Sequence, residues 1–260
     1  MRRLWIAVIG AVLLTGCTAL GTSQPSTLTV YAAASLTNAL RTVQASYEAT
    51  VPGMHLIIST ASSGALRAQI EQGARADIFL SADTANPAAL VHEGLADGEP
   101  VTFAANRLTI IVPAGNPAGI RTPADLARDG LKIIAANDGA PIAAYANRLV
   151  GSLARLAGYP AGFLSRYATN VVSREDDVRA VVTKIALGEG DAAIVYQTDA
   201  AASSEVATVA VPDAANIAAT YAGIVIKGAG QPVAAHAFLA WLAGPPGRAT
   251  LHDFGFLPPP

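Results

Sequence analysis

A chain of 260 residues can bury one large core or two lobes of ordinary size. With 52% hydrophobic and only 14% charged residues, it reads as a packed globular protein and not as a disordered one. Its 17 basic against 19 acidic residues give a net charge of -2, which makes nucleic acid and anionic membrane surfaces poor electrostatic partners.

The chain opens with Arg2 and Arg3, an apolar run from Leu4 to Leu14, and the junction Leu14-Thr15-Gly16-Cys17. A basic start followed by an apolar run well short of the roughly 20 residues of a membrane-spanning helix predicts a secretory signal over residues 1–16. Cys17 is the only cysteine, so no intrachain disulfide can form, and an unpaired thiol in an exported protein asks for an explanation. The Leu-x-Gly-Cys junction resembles the bacterial lipobox, which implies lipidation of Cys17 and a membrane-anchored lipoprotein facing the periplasm or the cell exterior. Removing residues 1–16 takes away two arginines and no acid, leaving a net charge of about -4. Residues 17–27, rich in Ser, Thr and Gly with Pro25, read as a flexible tether.

Leu28 to Tyr31 is then a short apolar strand, and Leu36, Leu40, Val43 and Tyr47 follow at the spacing of one helix face. Val51-Pro52-Gly53 ends that helix. Met54 to Ile58 is the next strand, Leu66 and Ile70 mark the next helix, Gly73 stops it, and Asp77 to Leu80 is another apolar strand before a helix over Pro87 to Glu93. Leu108 to Val112 opens a second series: strand Leu131 to Ala135, helices Pro141 to Leu156 and Val178 to Leu187, and strand Ala192 to Tyr196. Ala222 to Ile226 returns as a strand and Val233 to Leu242 is a closing helix. Such alternation predicts an α/β protein with parallel-rich sheets flanked by helices. Two blocks with a late return suggest two lobes, residues 28–106 with 210–260 and residues 107–209. A ligand would sit in the cleft between them, at the carboxyl ends of the strands.

Three stretches share one grammar of strand, tight polar junction and amphipathic helix: residues 28–40, 57–70 and 133–145. A helix that begins right after a strand aims its free N–H groups and positive dipole end beyond the sheet edge, which makes an anion site without any charged side chain. Ser35 and Ser63 stand at two of these junctions, where a serine also serves simply as a helix cap. Pro141 suits a first helical position and would leave the Ile142 N–H free, while the Ile142 side chain packs in the core. Val178, Val181, Val182 and Ile185 form a core-facing stripe. A capping box from Ser173 to Asp176 would consume the Val178 N–H in the helix, whereas a start at Glu175 or Asp176 would leave it free. Tyr196 closes its strand, either as a half-buried aromatic or with its hydroxyl directed into a cleft.

Other chemistry is thinly represented. His55, His92, His236 and His252 lack metal-like spacing, and no G-x-S-x-G occurs. Gly188-Glu189-Gly190-Asp191-Ala192-Ala193 matches G-x-G-x-x-A, yet it follows a helix and precedes a strand, the reverse of the dinucleotide-binding context. Sugar receptors need stacking aromatics, and Trp241, the one tryptophan beyond the leader, falls on an apolar helix face.

YAAASLTNAL (31–40), ASSGALRAQIEQGARADIFLSAD (61–83), DDVRAVVTKIALGEGDAAIVYQTDA (176–200) and FLAWLAGPPGRATLHDFGF (238–256) together resemble the periplasmic molybdate-binding proteins of molybdate ABC transporters. The resemblance implies the two-lobed type II periplasmic-binding-protein fold and capture of tetrahedral molybdate or tungstate by hydrogen bonds alone. It also implies a monomer, a permease in the inner membrane as partner, and neither cofactor, protein–metal coordination nor enzymatic activity. By position it puts the oxyanion contacts on Ser35, Ser63, Ile142, Val178 and Tyr196. The family often has Ala where Ile142 stands, a change that a backbone contact tolerates and that would narrow the cleft. Competing readings are a receptor for sulfate, phosphate or a carboxylate on the same fold, an exported enzyme, and a structural lipoprotein.

Overall fold

The computed structural model describes residues 26–260. The signal over residues 1–16, Cys17 and the tether up to Pro25 lie outside the described residues. β1 (Ser26–Ala33) starts two residues earlier than the sequence suggested, because Ser26 and Thr27 pair with Met54 and His55. Leu28, Val30 and Ala32 of β1 are buried, as befits a strand flanked by neighbours and covered on both faces. A 3-10 turn, Ala34–Leu36, leads into α1 (Thr37–Thr50), whose buried face is the expected Leu40, Val43 and Tyr47 with Leu36 ahead of it. β2 (Met54–Ala61), α2 (Ser63–Glu71), β3 (Ile78–Ser81), α3 (Ala85–His92) and β4 (Ala96–Asn106) follow.

The chain leaves the first sheet at Asn106 and enters the second at Leu108, the start of β5 (Leu108–Pro113). β6 (Ile133–Ala136), α4 (Pro141–Leu153), α5 (Phe163–Asn170), β7 (Val171–Glu175), α6 (Val178–Ala186), β8 (Ala193–Tyr196), α7 (Gln197–Ala201) and β9 (Val206–Val209) build that side. β10 (Ala219–Ile226) then returns to the first sheet, and α8 (Pro232–Ala243) and α9 (Pro245–Asp253) close the chain. Trp241 of α8 packs on the core, with its ring 5.3 Å from that of Tyr47 on α1.

The first sheet has the order β2-β1-β3-β10-β4. β1, β2 and β3 are mutually parallel, whereas β10 runs antiparallel to both β3 and β4. On the other side β8-β5-β9 is antiparallel and β6-β7 is parallel, and a parallel bridge between Ile133 and Ala192 ties the two pieces together. Sheets that alternation alone would make parallel are therefore mixed. In the first sheet the exception is β10, which returns from the second side and runs against both of its neighbours, while at Arg107 the chain passes from β4 to β5 of the other sheet with no crossover helix. Among the described residues no helix is long and apolar enough to cross a membrane.

Candidate functional site

Two strand-to-helix junctions of the first sheet and two helix starts of the second converge on one small cavity. Ala34 and Ser35 reach it from the turn after β1, Ser62 and Ser63 from the start of α2, and Ala82 from the residue after β3. From the other side come Pro141 and Ile142 at the start of α4, Asp177 and Val178 at the start of α6, and Tyr196 at the end of β8. All five residues singled out in the sequence thus line the same space. Its free volume is about 20 Å³, above the roughly 10–15 Å³ that one water needs and far below the ~300 Å³ or more of pockets for drug-sized ligands. A compact solute of a few heavy atoms fits these dimensions.

The donors are arranged by their local partners. Ser63 is the first residue of α2, and its Oγ accepts the N–H of Ala82 at 3.1 Å. One lone pair is thereby occupied and the hydroxyl proton is left to donate elsewhere. The cap of α2 is Ser62, whose Oγ accepts the Ala65 N–H, so the capping role considered for Ser63 belongs to its neighbour. Ser35 caps no helix either; its Oγ shares a 3.0 Å hydrogen bond with the Tyr221 hydroxyl. Burial holds the Tyr221 phenol well above its ordinary pKa, with Asp199 nearby adding to the shift. It stays an O–H that can supply the proton of that bond, freeing the one on Ser35.

On the second side, α4 begins at Pro141 behind Ala140, and Ile142, in the first turn, has no carbonyl of its own helix to donate to. α6 begins at Val178, where the apolar stripe opens and later than the starts at Glu175 or Asp176, because the Asp177 carboxylate caps it by accepting from Arg179 N and Ala180 N at 2.8 and 3.0 Å. Ser173 and Glu175 lie in β7 instead of a capping box. The Val178 N–H is therefore the first of the helix and faces outward from it. Tyr196 is 1% exposed, and its hydroxyl has no partner among the described residues. Burial keeps its pKa far above the ordinary value, so it too is a permanent donor.

Among the described residues no Lys or Arg lines the cavity, and the one charged residue there, Asp177, is negative. Arg67, the cation nearest to Ser63 in sequence, pairs with Glu71 one turn along α2 at 3.1 Å. What faces the cavity is thus hydroxyl and amide donors backed by helix N-termini, a set that prefers an anion presenting only acceptors. A larger groove of about 660 Å³ runs beside it, lined by Arg41, Asp199 and Asp253 among others. Its charges are of both signs, and it lacks the convergent helix starts.

Asp177, Tyr221 and Asp199 escaped the sequence reading. An Asp immediately before an apolar periodic run is a recognised helix-start signal, and it would have found Asp177. Nothing local marks Tyr221 or Asp199. Asp199 is buried in α7, with Oδ2 lacking a partner among the described residues. Burial pushes its carboxyl up to about 7, against the pull of Arg179 and with a small push from Asp177. An acid of this kind keeps its proton in the folded chain while the unfolded chain has already released it. Its contribution is then harmless below about pH 4, and stability falls as pH rises from there toward 7, by up to roughly 1.4 kcal/mol per unit. Asp199→Asn should flatten that decline in urea melts taken between pH 4.5 and 7.5; an unchanged slope would remove Asp199 as its source.

Three comparisons with known proteins bear on the site. Residues 28–257 match the family described as bacterial extracellular solute-binding protein. The molybdate-binding protein ModA of Mycobacterium tuberculosis H37Rv is 33% identical over 271 residues, spanning 98% of this chain and 99% of that one. Among solved structures, the periplasmic molybdate-binding protein of Azotobacter vinelandii superposes with a TM-score of 0.74 at 23% identity, covering 90% of this chain and 100% of the other. The sulfate-binding protein SubI of Mycobacterium tuberculosis H37Rv reaches 0.79 at 21% identity, covering 90% and 87%.

Proposed function

The chain belongs to the bacterial extracellular solute-binding proteins, and on that premise we propose that it captures molybdate, and tungstate with it, for an ABC transporter. The observation that carries the reading is the cavity itself, where two serine hydroxyls, a buried tyrosine hydroxyl and the free amides of two helix starts converge with no cation among the described residues. The fold does not choose the anion, since a sulfate-binding and a molybdate-binding protein resemble it about equally. Identity of 33% along the whole chain with a molybdate-binding protein favours molybdate.

In this reading the ligand residues are Ser35, Ser63, Ile142, Val178 and Tyr196. Serine and tyrosine give their hydroxyl protons, and Ile142 and Val178 give backbone N–H groups. A dianion held by neutral dipoles in a poorly hydrated space forms charge-assisted hydrogen bonds, and no counter-ion has to be buried with it. The five donors give the proton that phosphate species still carry near neutral pH nothing to bond to, and the one carboxylate in the lining, Asp177, is engaged in capping α6, so those species are disfavoured. Sulfate is smaller and touches both walls of the cavity less well. The two lobes would be residues 28–106 with 210–260 and residues 107–209, closing on the anion as a signal to a permease. The protein acts by binding and release, without altering the anion.

The test is a thermal-shift screen of oxyanions followed by competition calorimetry. Molybdate and tungstate should raise the melting temperature, and an equal concentration of sulfate should barely compete. Sulfate displacing molybdate at equal concentration would instead make this a sulfate receptor.

Anchoring belongs to the same proposal, supported by the Leu14-Thr15-Gly16-Cys17 junction. Acyl chains on Cys17 would hold the protein at a membrane with roughly 0.8 kcal/mol per buried CH₂. Cys17→Ala should therefore move it from the membrane to the soluble fraction with its molybdate affinity intact. Membrane retention of a folded, unlipidated Cys17→Ala protein would refute the anchor.

A further inference from the structure

Gly64 follows Ser63 in the first turn of α2 and donates its N–H to the carbonyl of Gly139 at 3.0 Å. Gly139 lies in the loop between β6 and α4, so this is a direct backbone bond between an element on the first sheet and one on the second. Each end adjoins the cavity, through Ser63 on one side and Ala140 on the other. A Cβ on Gly64 would stand 2.1 Å from the Gly139 oxygen, and the obstacle is backbone, not a side chain that could swing away.

The loop that bears this oxygen is braced. Asn137 accepts the Gly139 N–H on its Oδ1 and donates its amide to Asp176, both at 3.1 Å. Its own N–H bonds the Glu175 carbonyl and its carbonyl takes the Ala140 N–H. Gly64 itself is helical and needs no left-handed conformation. Alanine is the better residue in a helix, so only the close approach across the cleft accounts for a glycine here.

We propose that Gly64 determines closure: its missing side chain lets the two lobes meet beside the anion, and its bond to Gly139 retains the anion once they have met. The inference rests on the oxyanion-binding reading above and adds the contact that sets how long the ligand stays. Affinity differences of this origin fall on the dissociation rate.

The experiment compares wild type with Gly64→Ala and, as a control for a glycine replaced in a helix, Gly151→Ala. Gly151 lies in α4 away from the cavity lining, and a Cβ there meets nothing within 4 Å. Ligand-free melting, calorimetry and stopped-flow release with molybdate and with sulfate, and small-angle scattering with and without each anion are measured. Gly64→Ala should melt at or above the wild-type temperature without ligand. It should lose about tenfold or more in affinity through faster release, and keep its ligand-free radius at saturating anion. Gly151→Ala should bind within about twofold of wild type. A Gly64→Ala protein that binds and compacts like wild type, or one that melts well below it without ligand, overturns the proposal. Wild type that compacts with sulfate and not with molybdate refutes the molybdate reading while the variant still decides the clasp. Wild type that responds to neither overturns both.

Discussion

Ser63→Ala should lose molybdate affinity by roughly tenfold to a hundredfold, and its neighbour Ser62→Ala should lose almost none. A hydroxyl that donates to a charged ligand is worth about 1.5–3 kcal/mol. The Ser63 hydroxyl has its acceptor side occupied by Ala82 N–H and its proton uncommitted, while Ser62 is turned to its own helix as the α2 cap. Stability should respond the other way round from the usual expectation for a serine at a helix start. Ser62→Ala removes a cap, at about 1 kcal/mol. Ser63→Ala removes no cap but leaves the Ala82 N–H without an acceptor, a cost of about 1–3 kcal/mol. Both variants therefore melt lower and only one binds worse. Ser35→Ala should join Ser63→Ala in losing affinity, since its oxygen bonds a tyrosine and caps nothing. If the two serines touch one ligand from separate elements, as proposed, the double variant should lose about a hundredfold or more, short of strict additivity. Calorimetry and ligand-free melts on the four proteins decide the matter: equal affinity losses at Ser62 and Ser63 would return both residues to a purely structural role.

Where the sequence carries strong periodicity, the elements could be read from it directly. The buried face of α1 and the buried strand β1 are of this kind, as is the turn at Gly188, where a motif with dinucleotide-binding spelling closes α6. β4 was invisible because Asp97, Gly98, Glu99 and Pro100 are poor strand formers. They lie in an irregularity of the pairing with β10, where Val101 stands opposite Gly223 and Asp97 opposite Val225 and Gly98 between them has φ 91°. α9 was hidden behind Pro245-Pro246-Gly247, which spells a break. Yet proline is tolerated in a first turn, and Gly247 lies so tightly on Leu242 that a Cβ would meet its backbone at 2.3 Å. β7, α5 and α7 are five, eight and five residues long, too short for a periodic pattern to stand out from chance.

The site divides along the same line. Junctions after strands are a local feature, and they brought Ser35, Ser63 and Ile142 to notice without any knowledge of the partner sheet, while Val178 was reached through its helix stripe and the family resemblance. Which serine caps, which hydroxyl is freed by a tyrosine from β10, and which glycine must yield space are settled by residues distant in the chain. Tyr221 is 186 positions from the serine it bonds, and Gly139 is 75 from Gly64 by their numbers. Local patterning cannot carry information of that range: the Ser35–Tyr221 bond exists only once β10 has returned to the first sheet, and the Gly64–Gly139 bond only once the two sheets have assembled around one cavity.

Tyr196→Phe should weaken molybdate binding by about tenfold or more, yet leave the ligand-free protein as stable as before or more so. The Tyr196 hydroxyl is buried with no partner among the described residues, and an unsatisfied buried polar group costs about 1–3 kcal/mol. Phenylalanine removes that cost and keeps the ring, whose edge contacts to Tyr221 and Tyr145 have centroids 5.8 and 6.3 Å away. The same hydroxyl is worth about 1.5–3 kcal/mol as a donor to a dianion. Opposite signs for stability and affinity are what a group held ready for a ligand produces, and a group serving the core alone would not produce them. Arg67→Ala supplies the contrast. Its guanidinium pairs with Glu71 on the surface of α2, a partly exposed i, i+4 pair of a kind worth a few tenths of a kcal/mol, and it is not among the residues lining the cavity. Its removal should change affinity by less than about threefold. If calorimetry finds the larger loss at Arg67, the anion is held by a salt bridge and not by neutral dipoles, and a carboxylate or phosphate becomes the better ligand.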